Sequence, residues 1–408
     1  MSAYTGLMQD ALKQYFTITG NYWAFTLTDG AIRMLVVLHF YALGYSPFEI
    51  ALLFLFYEFF GIVTNLGGGW MAARLGLNLT MQVGTALQIF ALLMLTVPDA
   101  WLGVVYVMIA QALSGIAKDL NKMSAKAGVK LVSGNTDERL FRWVAWITGS
   151  KNALKGVGFF LGALLLATLG FRGALLALAG LLSVSLLVTL GLPRGMGAVK
   201  TKPAFASIFA REPAINWLSA ARVFLFGARD VWFVVALPVF LVSIGWGFEA
   251  VGAYLALWVI GYGMVQALAP QLLKARERQL GAASVAFWTT LLTGIPLLIW
   301  AGLFYALNPS VVLVGGLALF GVVFAMNSAL HSYLILKYSD FDKAAMNVGF
   351  YYAANAGGRL VGTVLSGFAY QQIGIEGCLL ISAGFVAIAA VITWLLARRE
   401  ASSHQQPA

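Results

Sequence analysis

Gly173-Ala174-Leu175-Leu176-Ala177-Leu178-Ala179-Gly180-Leu181-Leu182-Ser183-Val184-Ser185-Leu186-Leu187-Val188-Thr189-Leu190-Gly191-Leu192 contains no charged residue. As a helix it is about 30 Å long, the thickness of a bilayer's hydrocarbon core. A barrel strand would be about ten residues of alternating polarity, and this run does not alternate. Only a helix satisfies such a backbone in lipid. Working outward, similar runs recur near residues 18–41, 48–72, 78–96, 101–122, 142–168, 214–242, 249–271, 282–306, 311–336, 344–370 and 377–397. With 173–192 they make two sets of six. Apolar residues are 61% of the chain and charged ones 10%, against roughly half and a quarter in soluble domains. A soluble core with a single anchor is excluded.

The polar joint from Pro193 to Pro213 separates the sets. The expected organisation is an N-terminal six-helix bundle over 1–192, a cytoplasmic loop over 193–213, and a C-terminal bundle and tail over 214–408. Lys and Arg accumulate on the cytoplasmic side of membrane proteins. With both termini inside, Lys13, Arg74, Lys118, Lys122, Lys126, Lys130, Arg139, Arg142, Arg194, Lys200, Lys202, Arg211, Lys274, Arg276, Arg278, Lys337, Lys343, Arg398 and Arg399 fall on that side, and Arg172 falls outside. The net charge of +10 is then topology rather than a nucleic-acid surface. The first seventeen residues lack the pattern of a removable signal peptide. Cys378 is the single cysteine and no Cys/His cluster exists, so no metal or cofactor is expected. Without a Ser/His/Asp constellation or a soluble output domain, a transporter is expected rather than an enzyme or sensor. A monomer in the lipid bilayer is expected.

The two sets repeat. At an offset of 204, Lys155 aligns with Arg359, Gly158 with Gly362, Leu161 with Leu365, Gly170 with Gly374 and Gly173 with Gly377. At an offset of 201, Asp29 aligns with Asp230 and Gly44 with Gly245, and Phe48-Glu49 matches Phe248-Glu249 one register earlier. Duplicated six-helix halves resemble the major facilitator superfamily. The loop Gly69-Trp70-Met71-Ala72-Ala73-Arg74-Leu75-Gly76-Leu77-Asn78 resembles that superfamily's signature, keeping Gly69, Arg74 and Gly76. Ala73 replaces its acid, and Leu77 and Asn78 its final basic pair. The resemblance implies an all-α polytopic fold of two pseudo-symmetric bundles, with transport by alternating access.

Charges in mid-span point to the cargo. Arg33, Lys151, Lys155, Arg222, Arg229 and Arg359 lie there with Asp29, Glu58 and Asp230. Pairing Asp29 with Arg33, Asp230 with Arg229 or Arg222, and Glu58 with Lys151 or Lys155 would hold helices together, yet leaves an excess of bases. Three unpaired cations would cost about 9 kcal/mol on insertion scales. Such an excess implies a water-filled cavity whose bases await a small anion. The acids are alternatively proton carriers. Lys118, Lys122 and Lys126 recur every four residues beside Asp119 and Asn121, as a stripe drawing an anion inward or as an ordinary positive-inside helix end. His39 and His331 are proton relays or bonded members of the bundle. Asn65, Gln111, Asn152, Asn327 and Asn355 bind polar groups or bridge helices.

Four stretches carry a second resemblance: Asp29 to Phe40, Ser114 to Lys126, Thr148 to Gly158, and Ser219 to Phe233. With their intramembrane charges in fixed order they resemble the bacterial organoarsenical efflux permeases of the ArsJ family. That resemblance implies a multi-pass protein of the bacterial cytoplasmic membrane, exporting 1-arseno-3-phosphoglycerate and conferring arsenate resistance. It also implies a functional partner, glyceraldehyde-3-phosphate dehydrogenase, which makes that ester from arsenate. An organic phosphate exchanger is the competing expectation. From the charges, Arg33, Lys118, Lys122, Lys151, Lys155, Arg222, Arg229, Arg359 and Asn121 are expected to bind substrate. Asp29, Glu58, Asp119 and Asp230 are expected to couple protons or pair ions.

Overall fold

The computed structural model describes residues 2–128, 137–192, 213–273, 281–338 and 344–403; the side chains at 1–13, 15, 66–75, 123, 126–128, 137–149, 270, 336, 344–349 and 403 lie outside that description. The joint at 193–212, Lys126, the signature residues Gly69 to Leu75 and many of the expected cytoplasmic bases therefore fall outside it. The described residues are helical, with no strand among them. The helices are α1 Ser2–Ala42, α2 Pro47–Leu53, α3 Leu55–Leu75, α4 Leu77–Met94, α5 Val104–Gly128 and α6 Asp137–Thr189. They continue with α7 Pro213–Phe233, α8 Ala236–Ser243, α9 Phe248–Leu273, α10 Ala282–Phe304, α11 Pro309–Lys337 and α12 Ala344–Ser403.

Eight stretches among the described residues are long and apolar enough to cross a bilayer by length and composition. Two of them, Ser150–Thr189 and Phe350–Ser402, have 40 and 53 residues. Each is broken by one glycine in a left-handed conformation: Gly170 at φ 68 and Gly374 at φ 71. Glycine adopts that conformation without the penalty a Cβ brings. The breaks fall where the sequence separates 142–168 from 173–192 and 344–370 from 377–397. α1 and α5 occupy the first and fourth expected positions but are not among the eight. Both carry buried acids, Asp29 in α1 and Asp119 in α5.

The expected span 214–242 is interrupted. α7 ends at Phe233 and α8 begins at Ala236, just before Pro238, whose ring disfavours an unbroken helix through the preceding turn. The freed backbone N–H groups of Val235 and Ala236 donate to the Ser366 hydroxyl at 3.2 and 3.0 Å. A side chain thus replaces the helical acceptors where water is absent.

The chain forms two compact units. Unit 1 is Met1–His39, Val63–Phe205 and Gly247–Ile260; unit 2 is Phe40–Ile62, Ala206–Trp246 and Gly261–Ala408. In unit 1, α1 and α6 cross on small residues, where a Cβ on Gly158 would lie 2.3 Å from the Leu27 carbonyl oxygen. A Cβ on Gly162 would meet the Ala31 carbonyl oxygen at the same distance. In unit 2, α7 and α12 cross likewise: a Cβ on Gly358 would lie 2.1 Å from the Val223 oxygen, and one on Gly362 2.7 Å from that of Gly227. Lipid supplies no hydrophobic drive between helices, so this backbone approach is the source of their attraction. The other aligned glycines, Gly44 and Gly245, share positive φ values of 86 and 94.

Candidate functional site

The α1/α6 crossing brings Asp29 to Lys155, with Oδ2 3.6 Å from Nζ. The α7/α12 crossing repeats the contact: Asp230 Oδ2 accepts from Arg359 Nε at 3.3 Å. The acid–base pairs that align in sequence thus meet in space within each unit. Unit 2 extends its copy. Arg359 Nη2 also donates to Glu58 Oε1 at 2.5 Å, while Arg229 donates to Asp230 Oδ1 through Nε at 2.6 Å and Nη2 at 2.5 Å. Glu58, Arg359, Asp230 and Arg229 form a charge-matched chain, and both acids are buried.

Glu58, for which the sequence leaves Lys151 or Lys155 as one alternative partner, meets Arg359. The reason is segmental: Glu58 lies in Phe40–Ile62, which packs as part of unit 2 with α12. Asp29, for which Arg33 on its own helix is one alternative partner, reaches Lys155 on α6. Arg33 is buried one turn beyond Asp29 on α1. Lys151 is half-buried beside Ser150, whose hydroxyl accepts from Trp23 Nε1 at 3.0 Å.

At the end of α5, Asp119 is fully buried, with Lys122 Nζ 3.0 Å from Oδ1 and Lys118 Nζ 3.9 Å from Oδ2. Lys122 also donates to Asn65 Oδ1 at 2.7 Å. Asn121 is committed locally. Its Oδ1 accepts from Asn21 at 3.0 Å and Thr85 at 3.2 Å, and its Nδ2 donates to the Ala117 carbonyl. Unit 2 has a shorter counterpart, in which Asn327 Nδ2 donates to Thr289 Oγ1 at 2.7 Å.

Arg222 differs from the other two arginines of unit 2. It is 4% exposed, yet its described polar partners are neutral: Nε donates to Asn355 Oδ1 at 3.1 Å and Nη1 to Ser328 Oγ at 3.2 Å. The Phe226 ring lies 3.8 Å from its guanidinium carbon and the Tyr351 ring 5.0 Å away. Tyr262 and Gln266 of α9 also reach Ser328 Oγ, at 3.2 and 3.4 Å.

Residues 277–408 match the Major Facilitator Superfamily profile. No curated protein matches the sequence. Among solved structures, the chain is similar to an alanine variant of the nucleoside transporter NupG, with a TM-score of 0.71 at 15% identity over 94% of this chain and 99% of that one. It is similar to a structure concerned with substrate recognition in proton dependent oligopeptide transporters, at 0.72 and 17%, covering 95% and 98%. A POT family transporter in complex with a thioalcohol conjugated peptide gives 0.73 and 15%, covering 96% of each chain. The fold is the major facilitator fold. With that profile match over 277–408 and eight described stretches apolar and long enough to cross a bilayer, the chain reads as a multi-span membrane protein of that fold.

In this major facilitator fold Gly76 of the loop after α3 has φ 79, a conformation that glycine adopts without the penalty a Cβ brings. The residues that reasoning from sequence passed over are Ser328, Tyr262, Gln266 and Tyr351 around Arg222. A signal existed. Ser328 and His331 are three apart on α11, and Tyr351 and Asn355 four apart on α12, so each pair puts two polar groups on one helix face.

Proposed function

We propose that this protein is a secondary transporter that exports 1-arseno-3-phosphoglycerate, an anionic organoarsenical, from the bacterial cytoplasm by alternating access and so confers arsenate resistance. One observation carries the anionic cargo: buried or half-buried bases outnumber acids within the spans. Arg33, Lys118, Lys122, Lys151, Lys155, Arg222, Arg229 and Arg359 are set against Asp29, Glu58, Asp119 and Asp230. Each charge in a bilayer core costs roughly 2.5–3.5 kcal/mol on insertion scales. A polyanionic substrate offsets that cost when bound, and its departure restores it, which favours rebinding or a change of conformation. The arsenical itself rests on the resemblance of the four charged stretches to the organoarsenical permeases. Glyceraldehyde-3-phosphate dehydrogenase then supplies the cargo, and hydrolysis of the exported ester outside the cell keeps its gradient outward.

The test is uptake into inside-out membrane vesicles, with the ester generated by that dehydrogenase from arsenate. Arsenic accumulation that depends on the dehydrogenase and exceeds uptake of glycerol 3-phosphate and inorganic phosphate is the expected result. Preference for those two compounds would replace this reading with an organic phosphate exchanger. Proton flux in the same vesicles shows whether Asp29, Glu58, Asp119 or Asp230 couples transport to protons.

A further inference from the structure

Unit 2 contains a polar cluster with more hydrogen-bond donors than acceptors among its described side chains. Ser328 Oγ is approached by Arg222 Nη1, Tyr262 OH and Gln266 Nε2, three donors on a hydroxyl with two lone pairs. A guanidinium carries five N–H groups, and the two described bonds of Arg222 leave three for another acceptor. Around it lie side chains that are buried and without hydrogen-bond partners in the described structure. The Tyr351 hydroxyl is one, both ring nitrogens of His331 are others, and Ser219 Oγ, three residues before Arg222 on α7, is a fourth group. His331 is fully buried one turn beyond Ser328 on α11, on the helix face that presents Ser328 to Arg222. Buried polar groups are almost always satisfied, and a cluster that fails together requires a common partner.

We infer that Arg222, His331, Tyr351 and Ser219 form a subsite for a tetrahedral oxyanion of the phosphoryl class. The charge of Arg222 requires an anion, and no acid pairs with it among the described residues. The donor count selects the class. Three N–H groups of Arg222, the Tyr351 and Ser219 hydroxyls and one His331 N–H exceed the roughly four lone-pair sites of a carboxylate, whereas a phosphoryl group offers three strongly accepting oxygens. Phe226 covers one face of the guanidinium and holds its plane. Tyr262, Gln266 and Asn355 are half-buried, whereas Arg222, His331 and Tyr351 are buried. Arg229 and Arg359 already hold carboxylates, so the phosphoryl end of the cargo is read by Arg222. This assignment rests on the reading that the protein carries an anion, but not on the cargo containing arsenic.

The experiment measures binding without transport. Full-length protein in detergent is titrated with inorganic phosphate, 3-phosphoglycerate and acetate, following intrinsic tryptophan fluorescence and thermal stability. Phosphate and 3-phosphoglycerate are expected to bind and acetate not. Arg222→Lys keeps the charge but loses the fork, and is expected to weaken phosphate binding about tenfold or more, the equivalent of one charge-assisted hydrogen bond. Tyr351→Phe and His331→Ala each remove a buried donor and are expected to weaken it several-fold, while Arg172→Gln, on an exposed arginine, matches the parent. If Arg222→Lys does not fold, Tyr351→Phe and His331→Ala decide. Phosphate binding unchanged in the folded variants, no phosphate binding to the parent, or acetate binding as tightly as phosphate overturns the subsite. Failure of arseno-ester uptake with intact, Arg222-dependent phosphate binding overturns the arsenical cargo alone.

Discussion

Asp29–Lys155 in unit 1 and Asp230–Arg359 in unit 2 occupy equivalent crossings, yet chemistry has diverged around them. The first is an ammonium at 3.6 Å; in the second a guanidinium forks between Asp230 and Glu58. The contrast extends further: four of the five span bases of unit 1 are lysines, Lys118, Lys122, Lys151 and Lys155, and all three of unit 2 are arginines. A lysine is a compact charge on a flexible stem and trades partners readily, whereas an arginine fork fixes geometry and keeps its proton. The duplication has therefore produced one adjustable charge cluster and one fixed one.

The largest way to break that contrast is to remove the fork. Arg359→Gln removes the described pairing of Glu58 and part of that of Asp230, a loss of about 3 kcal/mol or more for a buried pair. Vesicle uptake is expected to vanish and the melting temperature to fall while membrane insertion persists. Full uptake in that variant would sink the role assigned to the cluster. Lys155→Gln should lose less stability, because its described ion pair, at 3.6 Å, is longer than either of those of Arg359. Next come the crossings. Gly158→Val and Gly358→Val should each cost about 1–3 kcal/mol by overpacking. The second should cost more, since its Cβ would meet Val223 at 2.1 Å rather than Leu27 at 2.3 Å; melting curves of the purified variants give the order.

Exchanging the bases sharpens the comparison more gently. Lys155→Arg is expected to retain most uptake, whereas Arg359→Lys should lose about tenfold, the worth of one charge-assisted bond; equal losses would show the units to be alike. The smallest effect concerns the amides. Asn121→Ala removes a side chain with three described bonds and Asn327→Ala one with a single described bond. Intramembrane hydrogen bonds are worth about 0.6 to 1.7 kcal/mol each, so Asn121→Ala should lower thermal stability more.

Much of the fold is legible because lipid leaves few choices. The uncharged run from Gly173 to Leu192 admits only a helix, and Gly170 and Gly374 mark the turns at aligned positions. The duplication aligns Asp29 with Asp230 and Lys155 with Arg359, but that each acid meets the base of its own unit is seen only in the structure. What escapes the sequence depends on long-range packing. Glu58 and Arg359 are 301 residues apart, and their meeting follows from the inclusion of Phe40–Ile62 in unit 2. The interruption before Pro238 becomes readable only with Ser366 in place to satisfy the freed N–H groups. The Arg222 subsite is spread thinly over α7, α9, α11 and α12, with one or two polar residues on each.

Neither unit is a continuous length of chain, and that bears on the order in which the molecule is made. Gly156 of α6 packs against the Ala256 carbonyl and Ile260, and Gly252 against Ala163 and Phe159, all within unit 1. When the ribosome has translated the joint at 193–213, those faces of α6 still lack the strip that covers them. Unit 2, conversely, needs Pro47, Phe48 and Ala51, made early, to receive Gly367 hundreds of codons later. Translation therefore delivers each unit with a debt to a segment encoded at a distance, and the last helices inserted complete a surface begun by the first.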